Sequence, residues 1–444
     1  MDPIIKVGIL FAPEVKFLLN GEYRLQPSGQ IFSGKGRIVT NKEKPCLVIE
    51  GQQIEAQWPV VFEPLDYDAG SFDLMEVTIG INFHWERKQD QRFRGSIEII
   101  AEPGHLTAIN AISLEDYLTS VISSEMSATS SPELLKAHAV ISRSWLLAQI
   151  EKGQLLRTES KYVSSFESHG ERIRWYDRED HVNFDVCADD HCQRYQGITN
   201  VTRKAVEEAI EFTRGQVLTY NDSICDARYS KCCGGISERF ENVWEPVQHP
   251  YLSMVIDNAA LPEGFELDVT NEQAAQRWIL GNPPAFCNTQ NKEVLSQVLK
   301  DYDQETHDFY RWEVKISQEH IQELLGKRVQ VNVGQVLDLI PVERGASGRL
   351  VKLQITGTDG SITIGKELEI RKAFSPSHLY SAAFVCEKGE IIDGIPQSFT
   401  LKGAGWGHGV GLCQIGAAVM GNSGYDHRAI LSHYFHGTQI KKLY

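Results

Sequence analysis

Glu125 stands in the run Val121-Ile122-Ser123-Ser124-Glu125-Met126, four residues past Val121 and seven past Leu118. On a helix that spacing sets its carboxylate on the same apolar face. Partial desolvation disfavours the charged form, so such a carboxyl group keeps its proton nearer neutral pH. That is the property of a general acid that cleaves a glycosidic bond. The competing reading is a surface glutamate at a fraying helix end. Arg143 lies one turn from Val140 and Leu147. A guanidinium cannot lose its proton, so burial demands an anion or several carbonyls around it. Contact with Glu125 would lower that carboxyl pKa and oppose acid function, so Arg143 is expected to order the site from one side. A purely structural ion pair fits the pattern equally well.

A second group is His181, Cys187, His191 and Cys192, two imidazoles and two thiols within twelve residues. They make a complete tetrahedral set for zinc, and four protein ligands leave no open position, so the expected role is structural. Asp185, Asp189 and Asp190 are nearby carboxylates for outer support. The spacing fits no zinc finger, and unrelated loop residues with a redox-active cysteine pair are the alternative. A third stretch is Gly405-Trp406-Gly407-His408-Gly409-Val410-Gly411-Leu412-Cys413-Gln414. Its glycines free the backbone for close approach, Trp406 offers a flat face for a sugar ring, and His408 and Gln414 offer hydrogen bonds. A glycine-rich turn leading into a helix near Gln414 is the plainer reading. A pyrophosphate loop matches poorly, because the spacing is not G-x-G-x-x-G after a strand. Further back, Tyr229 and Ser230 stand just before Cys232-Cys233-Gly234-Gly235. No activating base adjoins those two cysteines, and buried inert thiols are the better reading of them.

Two helices must position the first of these residues. Ser113 caps one, with Asp116 three residues on, and Leu114, Tyr117, Leu118, Val121 and Ile122 keep helical period. The other opens Ser131-Pro132-Glu133 and runs to about Lys152-Gly153. It is apolar nearly all round, as a central buried helix is. Residues 1–105 form a β-rich N-terminal region of short alternating runs, beginning with Ile5, Val7 and Leu10, and broken by Gly and Asp turns. Residues 106–264 and 375–444 are expected to make a central helical core. Residues 265–374 read as an inserted α+β domain, with a helix from Ser317 to Leu325 ending at Gly326. A hairpin follows, Leu350–Ile355 and Ser361–Ile364 about Thr358-Asp359-Gly360. The fold class is α+β.

With 444 residues, two or three packed units are expected. The formal net charge of -15 disfavours a nucleic-acid partner, which would need clustered Lys and Arg. No apolar run approaches the roughly 20 residues of a membrane span. The start, MDPIIKVGILFAPEV, has neither the n-region nor the cleavage site of a secretory signal. Nine cysteines are an odd and modest number, so no disulfide scaffold is indicated and the composition alone points to a reducing compartment.

These stretches, in this order, resemble the SpoIID/LytB family, named for stage II sporulation protein D and its LytB relatives. Leu114-Glu115-Asp116-Tyr117-Leu118, Glu125-Met126, Pro132 to Val140 and Arg143 look like its central signature. Gly405 to Gly411 with Gln414 and Gly416-Ala417 looks like its C-terminal one, and Ile430 to Thr438 fits its close. The resemblance covers about 75–444. It implies a lytic transglycosylase acting on peptidoglycan glycan strands, in sporulating species on strands stripped of stem peptides. Its catalytic glutamate falls on Glu125, its arginine on Arg143, and its site tyrosine and serine on Tyr229 and Ser230. The histidine and glutamine of its C-terminal motif fall on His408 and Gln414. Some clostridial members hold zinc with two His and two Cys, similar to the 181–192 cluster, which is one residue shorter before His191-Cys192. The chain departs from the pattern at Ser127, usually proline, at Ser130, usually aromatic, and at Cys232-Cys233, usually Ser, Thr or a single Cys. The missing export signal is the larger departure, since peptidoglycan lies outside the cytoplasm.

The implied reaction suits a lone carboxyl group. It protonates the leaving oxygen, then takes the proton of the muramic acid 6-hydroxyl as a 1,6-anhydro ring closes. Water is not the nucleophile, so the second carboxylate of ordinary glycosidases is unnecessary. Two other readings compete. The LytB branch implies a non-catalytic enhancer of a cell-wall amidase, which would need Trp406 but not Glu125. A zinc amidase would need three ligands and a water, whereas the cluster offers four.

Overall fold

The structure, a computed structural model, describes residues 2–41, 44–80, 86–127, 129–156, 164–168, 170–176, 181–189, 191–199, 204–261, 268–299 and 308–444. The chain forms two compact units. Helices and strands both contribute heavily, so the fold is α+β.

The first unit comprises Met1–Ala128, Glu179–Gly215 and Lys442–Tyr444. Its centre is an 11-stranded, mostly antiparallel sheet. Alternation builds it. Val15, Phe17 and Leu19 of the strand Glu14–Gln26 turn inward, then the register shifts before Tyr23 and Leu25 do the same. Gly21, at φ +109, absorbs that shift in a conformation side chains resist. The strand His105–Ser113 pairs antiparallel with Ile4–Ala12 and runs directly into helix α1 (Leu114–Glu125). Ser113 caps α1, its Oγ accepting the Asp116 N–H at 3.2 Å, so the helix begins where the sequence placed it. Leu114, Tyr117, Leu118, Val121 and Ile122 are all buried. Helix α3 (Lys204–Phe212) packs beside α1 and buries Val206, Ala209 and Ile210.

The second unit comprises Thr129–Arg178 and Gln216–Lys441. Helix α2 (Pro132–Leu156) crosses it, with Leu134, Ala137, Val140, Ile141, Trp145 and Leu146 buried. It continues past the expected stop, because Gly153 in an apolar helix costs only about 1 kcal/mol against Ala and cannot by itself end it. The helix Gln318–Val329 likewise runs through Gly326 and stops at Gln330, whose φ of 53 is left-handed. The hairpin Leu350–Gly357 and Gly360–Gly365 forms as expected. It belongs to a five-stranded sheet that also takes in Ser165–Ser168, Glu171–Arg174 and Val336–Arg344. Among the described residues no helix is long and apolar enough to cross a membrane.

Candidate functional site

Glu125 is the last residue of α1 and belongs to the first unit. It is half-buried below Leu118 and Val121, which are fully buried. Its Oε1 accepts the backbone N–H of Arg194 at 3.3 Å. No second hydrogen bond reaches it among the described residues, so one oxygen is fixed and the other is open. Arg194 lies in a segment that runs along α1. Tyr117 donates to Gln193 at 3.3 Å, Gln196 N–H donates to Ser120 Oγ at 3.2 Å, and Tyr195 stacks on Tyr117 at 5.1 Å. Tyr195 is tied down in turn by its hydroxyl, which donates to Asn110 at 2.6 Å. Burial pushes that hydroxyl pKa well up, so it stays protonated.

The same segment begins at the His/Cys group. Ligand atoms of His181, Cys187, His191 and Cys192 all lie within 4.8 Å of one another. His181 Nε2 is 3.2 Å from Cys192 Sγ, and Cys192 Sγ is 3.7 Å from His191 Nδ1. Cys187 is held by the sheet itself, since Val186–Cys187 pairs parallel with Val7-Gly8. Phe184 packs against the His181 ring at 4.9 Å. The neighbouring Cys192, with burial second, pushes the Cys187 thiol up to about 12. Two imidazoles and two thiols at this separation fit a tetrahedral zinc ion. Asp185 accepts the Lys6 N–H at 2.9 Å, which braces the loop. Asp190 lies outside the described residues. A cavity of ≈ 350 Å³ lies against His181, Cys187 and His191, and Glu102 and His105 also line it.

Arg143, Tyr229, Ser230, Trp406, His408 and Gln414 belong to the second unit. Arg143 is completely buried, and its Nη1 donates to the carbonyls of Gln216 at 2.9 Å and Ala139 at 3.4 Å. Carbonyl acceptors are one of the two environments a buried guanidinium requires. The centre of the polar cluster is His138, a residue that the sequence presents only as one polar position on an apolar helix. It is 0% exposed. Its Nδ1 is 3.1 Å from Ser142 Oγ, its Nε2 is 3.2 Å from the Gln414 amide nitrogen, and Tyr229 meets its ring edge-on at 4.6 Å. Burial, with the Lys231 charge second, lowers its pKa to about 3, so the ring is neutral. With the Gln414 amide as donor, Nε2 accepts and the ring proton sits on Nδ1, toward Ser142. Ser230 Oγ is buried without a hydrogen-bond partner among the described residues.

The glycine-rich stretch wraps a second hidden residue, Arg349. Its guanidinium donates to the carbonyls of Cys233 at 3.1 Å and Gly407 at 3.2 Å, and to Ser347 Oγ at 3.0 Å. A side chain at Gly409 would collide with this guanidinium, which is why glycine stands there. Ser347 in turn donates to the buried Glu238 at 2.6 Å. Trp406 lies flat on Phe309, 4.6 Å away at 20°, with Tyr380 tilted against it at 4.7 Å. His408 accepts the Val410 N–H on Nδ1 at 3.0 Å and meets Trp244 edge-on at 4.8 Å. Burial and the Arg228 guanidinium hold His408 well below its usual pKa. Neither Arg349 nor Glu238 was visible as a site residue. Their one signal is the turn Gly345-Ala346-Ser347-Gly348, which puts a small hydroxyl between the two charges.

An α+β protein with a capped helix ending in glutamate and a glycine-rich C-terminal loop is thereby defined. Residues 102–220 match the family model described as Stage II sporulation protein, and 238–411 match that of a domain of unknown function (DUF8618). Over the first of these stretches, and in its curated relatives, the chain is similar to the SpoIID/LytB family. It is 23% identical to a stage II sporulation protein D of Bacillus subtilis, across 76% of either chain. An uncharacterised protein of Brachyspira hyodysenteriae is 24% identical over 78% of this chain and 72% of its own. An amidase enhancer of Bacillus subtilis is 25% identical over 54% of this chain, a match that spans 32% of that relative.

Proposed function

We propose that the protein is a peptidoglycan lytic transglycosylase, cleaving the bond between N-acetylmuramic acid and N-acetylglucosamine with Glu125 as the single acid–base group. The family and its relatives give the chain a cell-wall role. The observation that carries the finer reading is the state of Glu125. One oxygen is anchored by the Arg194 N–H, the other is open, and the carboxyl group is half removed from water. As an acid it protonates the glycosidic oxygen; as the resulting carboxylate it takes the proton of the muramic acid 6-hydroxyl, and the 1,6-anhydro ring closes. Arg143, Tyr229 and Ser230 are proposed as further catalytic residues, and Trp406, His408 and Gln414 as glycan-binding residues. Zinc would be held by His181, Cys187, His191 and Cys192, closed to substrate, and would fasten the loop whose Arg194 orients Glu125.

The test is mass spectrometry of fragments released from purified peptidoglycan. Muramic ends lighter by one water than hydrolytic ends support the proposal, and reducing ends would make the enzyme a hydrolase. The second reading is a non-catalytic peptidoglycan-binding enhancer of a cell-wall amidase. It rests on the relative named amidase enhancer. Stimulation of an amidase with no glycan cleavage by the chain itself would favour it.

A further inference from the structure

We infer that Cys233, Asp257, Cys287 and Cys413 form a second metal site, a closed tetrahedral zinc centre of three thiolates and one carboxylate. It is separate from the His181–Cys192 group and independent of the role given to Glu125. All four donors belong to the second unit, and their ligand atoms lie within 4.8 Å of one another. Each is at most 3% exposed. They come from four separate stretches of chain, and such convergence on one buried point is not what inert thiols scattered through a core would show.

The surroundings are arranged for anions. Tyr434 donates its hydroxyl to Asp257 Oδ1 at 2.6 Å, and the Cys287 N–H donates to Oδ2 at 2.8 Å. The Cys233 N–H points at Cys413 Sγ, 3.2 Å away. Gly416 leaves room at the carboxylate that any side chain would fill. Yet among the described residues no Lys or Arg pairs with Asp257. A buried carboxylate without a cation is strongly disfavoured, and a divalent ion between it and the thiols removes that cost.

Distances select the metal. Zinc–sulfur bonds of about 2.3 Å in a tetrahedron put neighbouring sulfurs about 3.8 Å apart. Cys233 Sγ and Cys287 Sγ are 3.7 Å apart. A disulfide needs about 2 Å and would leave Cys413 and Asp257 buried with no charge between them. An iron–sulfur cluster is usually held by four thiolates spread over several irons, whereas one of the four donors here is a carboxylate and two of the sulfurs already sit at the spacing of a single ion. Zinc at this point would pin Cys413, the residue before Gln414, to the Cys232–Gly235 turn. Main-chain bonds already join that turn to the glycine-rich loop, Cys232 N–H to the Trp406 carbonyl at 3.0 Å and the reverse at 2.8 Å.

The test uses the full chain, purified without added metal, carrying Cys187→Ser and Cys192→Ser to disable the first group. Elemental analysis should still find about one zinc per chain. Adding Cys287→Ser should remove it, whereas Cys232→Ser, a buried neighbour outside the set, should not. Should the Cys287 variant fail to fold, cobalt exchanged into the Cys187/Cys192 variant gives the readout. An intense tetrahedral spectrum with thiolate-to-cobalt charge transfer is expected. A folded Cys187/Cys192 variant that holds no zinc and takes up no cobalt would overturn the site. So would brown iron–sulfur absorption, or an intact mass two hydrogens short.

Discussion

His138 Nε2 lies 3.2 Å from the side-chain nitrogen of Gln414, across 276 positions of sequence. This contact joins helix α2 to the first turn of the helix that follows the glycine-rich loop. Both side chains are at most 2% exposed. Removing either leaves its partner buried and unsatisfied, at a cost of about 1–3 kcal/mol. The variants His138→Ala and Gln414→Ala should each lower stability to denaturant by that order, and the double variant by clearly less than their sum. Full additivity would mean the contact carries no energy.

The same histidine predicts a pH dependence. In the unfolded chain its ring protonates near the ordinary 6.5, but in the folded chain only near 3, first because of burial and then because of Lys231. Between those values the unfolded state binds the extra proton, so this contribution to stability falls as pH falls. Followed by NMR, the His138 ring should show no titration on passing through 6.5 in the folded protein. A midpoint near the ordinary value would show that water reaches the ring.

The His181–Cys192 group and Glu125 are coupled through four consecutive residues. Gln193, Arg194 and Gln196 each hydrogen-bond to α1, and Tyr195 stacks on it. Cys187→Ser with Cys192→Ser should abolish zinc binding there and speed amide exchange at Arg194, whose N–H anchors Glu125. Glycan cleavage should fall with it, because the N–H that orients Glu125 is loosened. If the amides at 193–196 exchange as slowly as before, the loop does not need the metal.

Local rules made much of this legible. The Ser113 cap and Pro132 at the first turn placed two helices, because capping and proline geometry act within a few residues. The hairpin about Thr358-Asp359 was readable for the same reason. What stayed hidden was made by distant pairing. His138 looked like one polar residue on an apolar helix until Gln414 met it. Arg349 lay in the stretch read as an inserted domain, yet it supports the carbonyls of Cys233 and Gly407. Cys233, Asp257, Cys287 and Cys413 have no mutual spacing that any short motif could reveal. Gly153 and Gly326 misled for another reason, since a glycine's small local penalty is overridden by the packing of the helix around it.

Trp406 stacks on Phe309, so its ring serves the protein's own packing as well as any sugar. Trp406→Phe keeps an aromatic face against Phe309 but shortens the platform. That variant should retain most thermal stability and bind glycan strands more weakly. Trp406→Ala should lose both. If the phenylalanine variant binds glycan as wild type does, the indole is a structural element of the loop alone.

Glu125→Gln keeps the shape of the side chain and the oxygen that accepts the Arg194 N–H. It removes only the titratable proton. The leaving oxygen then lacks its acid and the muramic acid 6-hydroxyl lacks its base. General acid–base assistance is typically worth on the order of 10²–10⁴-fold, and both steps depend on this one group. Turnover should fall by at least about that factor while the melting temperature and glycan binding persist, because no contact to the rest of the protein is lost. The proportion of anhydro ends among residual products should not change, since ring closure and bond cleavage share the residue. An unchanged rate would take Glu125 out of the chemistry, and the enhancer reading would then lead. A lost rate with lost binding would instead make Glu125 a groove residue, with the acid to be sought elsewhere.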